Sequence, residues 1–360
     1  MSEGPTPLGR LLSARIAATG PIPLHDYMAE CLMHPKHGYY ATRDPFGAAG
    51  DFTTAPEISQ MFGELLGLCL AQAWIDQGRP GRIALAELGP GRGTLMSDML
   101  RAMASVPGLT GAAEVHLVEA SPTLRARQAA ALEGVRPTWH DSADTLPGLP
   151  LFAVANEFFD ALPIRQFLRR GEGWSEVQIG LGSAGLVRGR SPPVRLADLD
   201  HRLSDTAEGD VVEVCPALAP IAGGIARRVA RYGGAALVVD YGAWRSLGDT
   251  LQAVRGHRPT DPLSAPGEAD LTAHVDFEAL SAAFSGAGAQ VTGPVPQGRL
   301  LDRLGIFRRA ERLARGLAGT ALETHRAAVR RLTDPLEMGD LFKVIACHPH
   351  LAPPPPGFET

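Results

Sequence analysis

The sequence predicts an α/β fold with a mostly parallel sheet and helices on both of its faces. Apolar runs of strand length alternate with helical patterns, which is typical of such sheets; the strands are predicted at 83–88, 115–119, 151–155 and 235–240, and the helices at about 94–104, 121–132 and 217–231. A last apolar run at 341–347 predicts a C-terminal antiparallel strand. Together these observations indicate a Rossmann-like sheet.

The remaining segments extend this core at both ends and at two internal points. Helical spacing before the first core strand predicts a helical cap, made of two short helices within 8–33 and a helix at 57–76. Short alternating runs predict a β insertion, and a Gly- and Pro-rich stretch predicts a long functional loop. We therefore expect a cap at 1–80, a core at 81–350 with insertions at about 165–210 and 242–275, helices at about 300–332 and a disordered proline-rich tail at 351–360.

Composition excludes several classes of function. The chain has 360 residues, 45% of them hydrophobic, and a net charge of −5, which argues against a nucleic-acid-coating surface. The four scattered cysteines form no Cys-x-x-Cys pair, so we predict no metal site. No apolar run approaches the ~20 residues of a membrane span. We expect a cytoplasmic bacterial protein, or a mitochondrial matrix protein if the chain is eukaryotic.

The first core strand ends in a glycine-rich bend that a helix follows at once. Glycines fall at Gly89, Gly91 and Gly93, and glycine alone lets the main chain approach a nucleotide-like ligand so closely. The dinucleotide fingerprint needs its third glycine one position later, where this chain has Thr94. Glu87, just ahead of the bend, could hold an ammonium group, which S-adenosylmethionine (SAM) has and NAD lacks. The bend therefore favours SAM over NAD.

Acidic residues after the next strands complete the predicted nucleoside site. Glu119 ends the second strand, where a carboxylate can accept both ribose hydroxyls. Asp141 could accept from the adenine amino group, and the Ser142 N–H could meet a ring nitrogen. The pair Asp141-Ser142 is also plausible as a turn or helix N-cap.

The strand predicted at 151–155 is followed by Asn156, Glu157 and Asp160, with Phe158 and Phe159 between the two carboxylates. Methyl transfer mainly requires alignment of the nucleophile and exclusion of water. Glu157 and Asp160 could grip a planar guanidinium and take up the proton that it loses. The alternative is structural: Asn156 and Asp160 could cap a turn, and the phenylalanines could belong to the core. The segment lacks the Asn-Pro-Pro-aromatic pattern, which weakens a DNA-methylase interpretation.

Six stretches in order along the chain resemble the MidA-type class I methyltransferases, whose mitochondrial members are assembly factors for respiratory complex I. These stretches are 50–59, 87–95, 156–163, 238–242, 267–277 and 338–344.

The resemblance implies a class I SAM-methyltransferase fold and SAM-dependent methylation of an arginine on a protein substrate. In the mitochondrial branch that substrate is a complex I core subunit. It also implies that Asp51, Thr53 and Thr54 lie over the cofactor, and that His274 and Asp276 lie near the substrate mouth. Read alone, these residues could instead cap the helices that follow them. Asn156 is a polar candidate but not the chemical centre, because some relatives carry other polar residues there.

Three other functions remain open from the sequence. The chain could be a SAM-binding assembly chaperone that acts by docking a partner, a nicotinamide oxidoreductase, or a methyltransferase for a small molecule. The sequence does not determine the oligomeric state.

Overall fold

The structure is a computed structural model that describes residues 5–42 and 53–359. The helices are α1 (Pro7–Thr19), α2 (Leu24–Met33), α3 (Tyr39–Thr42), α4 (Ala55–Ile58), α5 (Gln60–Asp76), α6 (Thr94–Met103), α7 (Leu109–Ala112), α8 (Pro122–Ala131), α9 (Leu218–Tyr232), α10 (Phe277–Gly286), α11 (Gln297–Leu304), α12 (Ile306–Ala314) and α13 (Gly319–Thr333).

The strands are β1 (Ile22–Pro23), β2 (Ile83–Leu88), β3 (Ala113–Val118), β4 (Thr138–His140), β5 (Leu151–Asn156), β6 (Arg165–Arg170), β7 (Gly173–Gly182), β8 (Gly185–Arg190), β9 (Val211–Val214), β10 (Gly234–Ala243), β11 (Gln252–Arg255), β12 (Arg258–Pro259), β13 (Asp270–Thr272), β14 (Val275–Asp276), β15 (Gln290–Pro296) and β16 (Phe342–His348).

The chain divides into two compact units. Unit 1 comprises Met1–Phe52, Asp160–Leu218 and Arg245–Asp276, and unit 2 comprises Thr53–Phe159, Ala219–Trp244 and Phe277–Thr360. The residues predicted as one N-terminal cap are thus shared between the two: α1–α3 belong to unit 1, whereas α4 and α5 belong to unit 2.

Unit 2 contains the predicted Rossmann-like sheet. Its described strands follow the order β15-β16-β10-β5-β2-β3-β4. The strands β10, β5, β2, β3 and β4 pair in parallel, and β16 runs antiparallel to both β10 and β15. Every residue of the central strand β2 is buried, as expected for a parallel strand covered on both faces. The parallel core and the antiparallel last strand are both confirmed.

Two glycines let helix α5 pack closely on α6. A Cβ at Gly63 would lie 2.6 Å from the Asp98 Cβ, and one at Gly67 would lie 2.8 Å from the Met99 Cα. Larger side chains would push the helices apart, so these glycines set where α6 lies. Because α6 begins directly after the glycine bend, this packing also fixes the bend.

The helix predicted at 57–76 is interrupted. Ser59 has an extended conformation, with φ −160° and ψ 134°, and separates α4 from α5. Its hydroxyl accepts a hydrogen bond from the Met61 N–H at 3.3 Å, so Ser59 is the N-cap of α5. The prediction missed this break because apolar spacing continues across it.

The proline-rich end differs from the disordered tail that the composition predicts. Phe358 is buried at 4% exposure in the main apolar core of unit 2. The Cys69 thiol lies 3.4 Å from the Pro356 carbonyl oxygen, and Arg303 donates to the Gly357 carbonyl at 2.9 Å. Burial of one aromatic ring and these bonds order residues 351–359, which a composition argument does not take into account.

Unit 1 has its own sheets and cores. One sheet has the order β1-β7-β6-β9 with β8 paired to β7, and a second has the order β12-β11-β13. The first corresponds to the predicted β insertion. The second lies within 242–275, where the sequence predicted only a long loop. Apolar residues of α1, α2 and β13 share one core cluster in this unit.

Candidate active site

The glycine bend joins β2 to α6 in unit 2. Gly89, Gly91 and Gly93 have φ values of 62°, 51° and 85°, a region that disfavours side-chain-bearing residues. The Gly89 N–H donates to the Val118 carbonyl at 3.0 Å, which fixes the bend beside the end of β3. A Cβ at Gly89 would lie 2.9 Å from the Phe158 ring. The sequence therefore needs glycine here for both conformation and space.

Glu87 lies on β2 just before the bend and is 3% exposed. Burial raises the pKa of its carboxyl to about 8, and a hydrogen bond from the Met96 main chain acts in the opposite direction. Among the described residues, Oε2 has no hydrogen-bond partner. A buried acceptor of this kind calls for a donor, and a ligand ammonium would supply one.

Asn156, at the end of β5, offers a second such acceptor. It is 7% exposed, and its Oδ1 has no hydrogen-bond partner within the described ranges. Glu87 pairs in register with Val154, two residues before Asn156. Because side chains alternate between the faces of a strand, Glu87 and Asn156 point to the same face of the sheet. Two unsatisfied acceptors thus lie at neighbouring positions beside the bend.

Glu119 follows β3, and its carboxylate is held on both oxygens. Oε1 accepts from the Ser121 N–H at 2.8 Å, and Oε2 accepts from the Gln128 amide at 3.3 Å. Burial raises the pKa of Glu119, and these two hydrogen bonds oppose the rise. The side chain predicted to bind ribose therefore has a fixed orientation.

Asp141 and Ser142 follow β4, the strand beside β3. The Asp141 side chain is 86% exposed and forms an ion pair with Arg125. The Ser142 hydroxyl accepts from the Asp144 N–H at 3.2 Å and caps a short helical turn at 143–145. Ser142 thus has the capping role given above as the alternative, and the adenine-binding role of both residues stays a prediction.

Glu157 follows Asn156 in an uncommon conformation, with φ 50°. Such backbone strain in a residue other than glycine often occurs at functional sites. Its Oε1 accepts from the Asn156 amide at 3.1 Å and from the Ala55 N–H at 3.2 Å. These bonds hold the carboxylate at the carboxyl end of β5, next to the candidate cofactor site.

The residues just after Thr53 and Thr54 form two hydrogen bonds with the site. One is the bond from Ala55 to Glu157, and the other is a 2.6 Å bond from the Thr94 hydroxyl to Glu57 Oε1. Thr54 occupies the N-cap position of α4, but its side chain makes no cap hydrogen bond. Thr53 is half-buried. Asp51, the third residue predicted here, lies outside the described residues.

Asp240, on β10, was not singled out by the sequence argument for the site. It is fully buried, and its Oδ2 accepts from the Phe159 N–H at 3.0 Å. Asp240 thus fixes the turn that follows Glu157. In the sequence, Asp240 could have been found as a candidate because it lies in 238–242, one of the six stretches that resemble the methyltransferase family.

Asp160, His274 and Asp276 belong to unit 1. Asp160 is 5% exposed, and its carbonyl accepts from the Ala273 N–H at 2.9 Å. The His274 N–H donates to the Thr250 hydroxyl at 2.8 Å, and Asp276 Oδ2 accepts from the Ser246 N–H at 2.9 Å. Within this unit the Asp160 carbonyl is therefore bonded to the main chain next to His274.

The half-buried Tyr40 and the buried Asp270 are two further polar residues of unit 1 that the sequence did not indicate as site residues. The Tyr40 hydroxyl donates to Asp270 Oδ1 at 3.0 Å. Burial, with the negative charges of Asp270 and Asp160, raises the pKa of Tyr40.

The sheet order, the glycine bend, Glu87 near the end of β2 and Glu119 after β3 are typical of a Rossmann-like nucleoside-binding enzyme. The two buried acceptors without a partner fit the ammonium group of SAM. The chain belongs to a family of S-adenosyl-L-methionine-dependent methyltransferases, whose family profile matches residues 65–295. SAM is therefore its methyl donor. The enzyme class expected from the sequence is confirmed.

Curated relatives extend the match to nearly the whole chain. The mitochondrial protein arginine methyltransferase NDUFAF7 of Danio rerio is 38% identical over 362 residues, covering 92% of this chain and 84% of that protein. Its Homo sapiens counterpart is 36% identical, with 97% and 85% covered.

The chain is 31% identical to a protein from Burkholderia thailandensis whose crystal structure contains S-adenosyl-homocysteine (SAH). The two structures have a TM-score of 0.81, and the match covers 100% of this chain and 96% of that chain. A native crystal structure from the same organism has 32% identity and a TM-score of 0.80.

The curated relatives named above are mitochondrial proteins. Across residues 5–42 and 53–359, no helix combines the length and apolar character needed to cross a membrane.

Proposed function

We propose that this methyltransferase acts on an arginine side chain of a protein substrate. The observation that carries the proposal is Glu157, at the carboxyl end of β5. Its backbone has the uncommon φ of 50°, and its carboxylate is held by hydrogen bonds. The names of the relatives, protein arginine methyltransferases, support it.

The residues of unit 2 fit SAM in separate roles. Glu87, with Asn156 beside it, would accept from the ammonium, and the glycine bend would receive the nucleoside against bare main chain. Glu119 would bind the ribose, and Asp141 with Ser142 would bind the adenine. Thr53 and Thr54 would cover the cofactor. SAM would supply a methyl group on its sulfonium, which passes to the nucleophile in line while S-adenosyl-homocysteine leaves.

The substrate side needs a group that orients a planar cation. Glu157 would hold the guanidinium through paired N–H bonds, which fixes the nucleophilic nitrogen, and would accept the proton lost on methylation. Its own hydrogen bonds to Asn156 and Ala55 restrict the carboxylate before substrate arrives, so little ordering is needed on binding. Asp160 is proposed to assist, and His274 and Asp276 are proposed as substrate-side residues.

The identity of the substrate and its compartment are finer proposals. We propose a core subunit of respiratory complex I as the substrate and a role in complex I assembly, on the strength of the family resemblance. The corresponding location is the cytoplasm in a bacterium and the mitochondrial matrix in a eukaryote.

The test is transfer of label from labelled SAM to proteins in a lysate of the source organism. Mass spectrometry then identifies the labelled polypeptide and residue. We expect methylarginine in one major protein, and loss of that signal with Glu157→Gln. Label confined to small molecules, or to lysine or glutamine, would contradict the proposal.

A further inference from the structure

Gln128, on α8, lies at the junction of three parts of the candidate cofactor site. It is 0% exposed and hydrogen-bonded through both amide atoms. Its Nε2 donates to the Gly91 carbonyl at 2.9 Å and to Glu119 Oε2 at 3.3 Å, and its Oε1 accepts from the Trp139 indole N–H at 2.8 Å. One side chain thus joins the glycine bend, the acid after β3 and strand β4.

The location of Gln128 is fixed by the bend itself. A Cβ at Gly93 would lie 3.4 Å from the Gln128 Cα, so α8 packs directly on the last glycine. If the Gln128 amide were flipped, its oxygen would face the Gly91 carbonyl and its NH₂ group would face the Trp139 indole N–H, and both bonds would be lost. Its contacts therefore specify its orientation.

The protein supplies a hydrogen-bond donor to each oxygen of the Glu119 carboxylate. A carboxylate oxygen has two lone pairs. Oε1 uses one for the Ser121 N–H, and Oε2 uses one for Gln128. The Ala120 N–H is a third donor to this carboxylate. Three protein donors thus set the orientation in which the carboxylate meets the ribose hydroxyls.

We infer that Gln128 is the positioning residue for ribose recognition: it locks the Glu119 carboxylate and the Gly91 carbonyl in one geometry, so that both ribose hydroxyls are read together. The inference rests on the proposed role of Glu119 in the cofactor site. It does not depend on which substrate is methylated.

The test compares binding of SAH and its 2′-deoxy analogue by calorimetry. In the unsubstituted protein, loss of the hydroxyl should weaken binding by about 10-fold or more, as expected for a hydrogen bond to a charged acceptor. In Gln128→Met the difference between the two ligands should fall below about 3-fold, because Glu119 is no longer held on Oε2. Gln128→Glu keeps the shape and the acceptor for Trp139, and should also reduce the difference.

The matched control is Gln297→Met. Gln297 is also 0% exposed and donates to the Leu332 carbonyl at 2.9 Å, but lies on α11. This variant should lose stability and keep the full discrimination between the ligands.

A purely structural role for Gln128 predicts that both ligands weaken by the same factor, and that result would overturn the inference. If the unsubstituted protein binds both ligands equally, the Glu119 role itself is wrong. Failure to methylate arginine would affect neither measurement, so the two proposals fail separately.

Discussion

Replacing Glu87 with glutamine tests the buried acid at the bend. Its pKa is raised from 4.5 to about 8 by burial, so in the ligand-free protein at pH 7 the carboxyl is mostly protonated. An ammonium beside it favours the carboxylate and lowers this pKa again. Binding of SAH at pH 7 should therefore release about one proton from Glu87.

The same pKa determines a pH-dependent part of the stability. The folded pKa is raised, so the proton-linked stability is complete below the unfolded pKa near 4.5 and is lost as pH rises through about 8. At about 1.4 kcal/mol per pH unit, the loss across this window is at most about 5 kcal/mol. Glu87→Gln stays neutral and should lose correspondingly less stability between pH 5 and pH 8.

Two assays check this prediction. Calorimetry of SAH binding in buffers of different ionisation enthalpy gives the proton count, which should be near one for the unsubstituted protein and near zero for Glu87→Gln. Urea unfolding of both proteins at pH 5 and pH 8 gives the stability difference. Equal proton counts, or parallel pH profiles, would refute the account of Glu87.

Three further substitutions test other parts of the structure. Glu157→Gln should lower kcat by about 100-fold or more and leave SAH affinity nearly unchanged, since the lost group serves the substrate; unaltered turnover in a methylation assay removes Glu157 from the mechanism. Gly89→Ala should weaken SAH binding measured by calorimetry, because its Cβ would lie 2.9 Å from the Phe158 ring at a φ of 62°; native affinity would show that the bend tolerates a side chain. Phe358→Ala should cost about 3–5 kcal/mol in urea unfolding, and a change below about 1 kcal/mol would mean that the C-terminal residues do not belong to the core.

Residues whose burial follows from local pattern were predictable from the sequence. Strand β2 is apolar except for Glu87, and the glycines that follow it indicate the bend, so the first strand, the turn and helix α6 were predicted within a residue or so. The positions of Glu87 and Glu119 at the carboxyl edge of the sheet were also predictable, because the carboxyl ends of parallel strands meet at one edge. Their roles toward SAM stay predictions.

Residues whose role depends on long-range packing were not predictable. Gln128 lies in a polar, Ala-rich helical stretch whose sequence is typical of a solvent-facing helix. It is buried by the packing of α8 on Gly93 and by its bonds to Gly91, Glu119 and Trp139. Phe358 follows four consecutive prolines, and nothing local indicates the core that receives its ring. Tyr40 and Asp270 are far apart in sequence, so their hydrogen bond could not be inferred from either stretch.

We propose that the glycine bend and Glu119 together receive the nucleoside of SAM. A crystal structure of this protein with SAH tests it most directly. We predict that the adenosine lies along residues 89–93 and that both ribose hydroxyls are within about 3.2 Å of the Glu119 carboxylate. A bend with no SAH against it, or SAH bound elsewhere with Glu119 bonded only to Ser121 and Gln128, would contradict the claim.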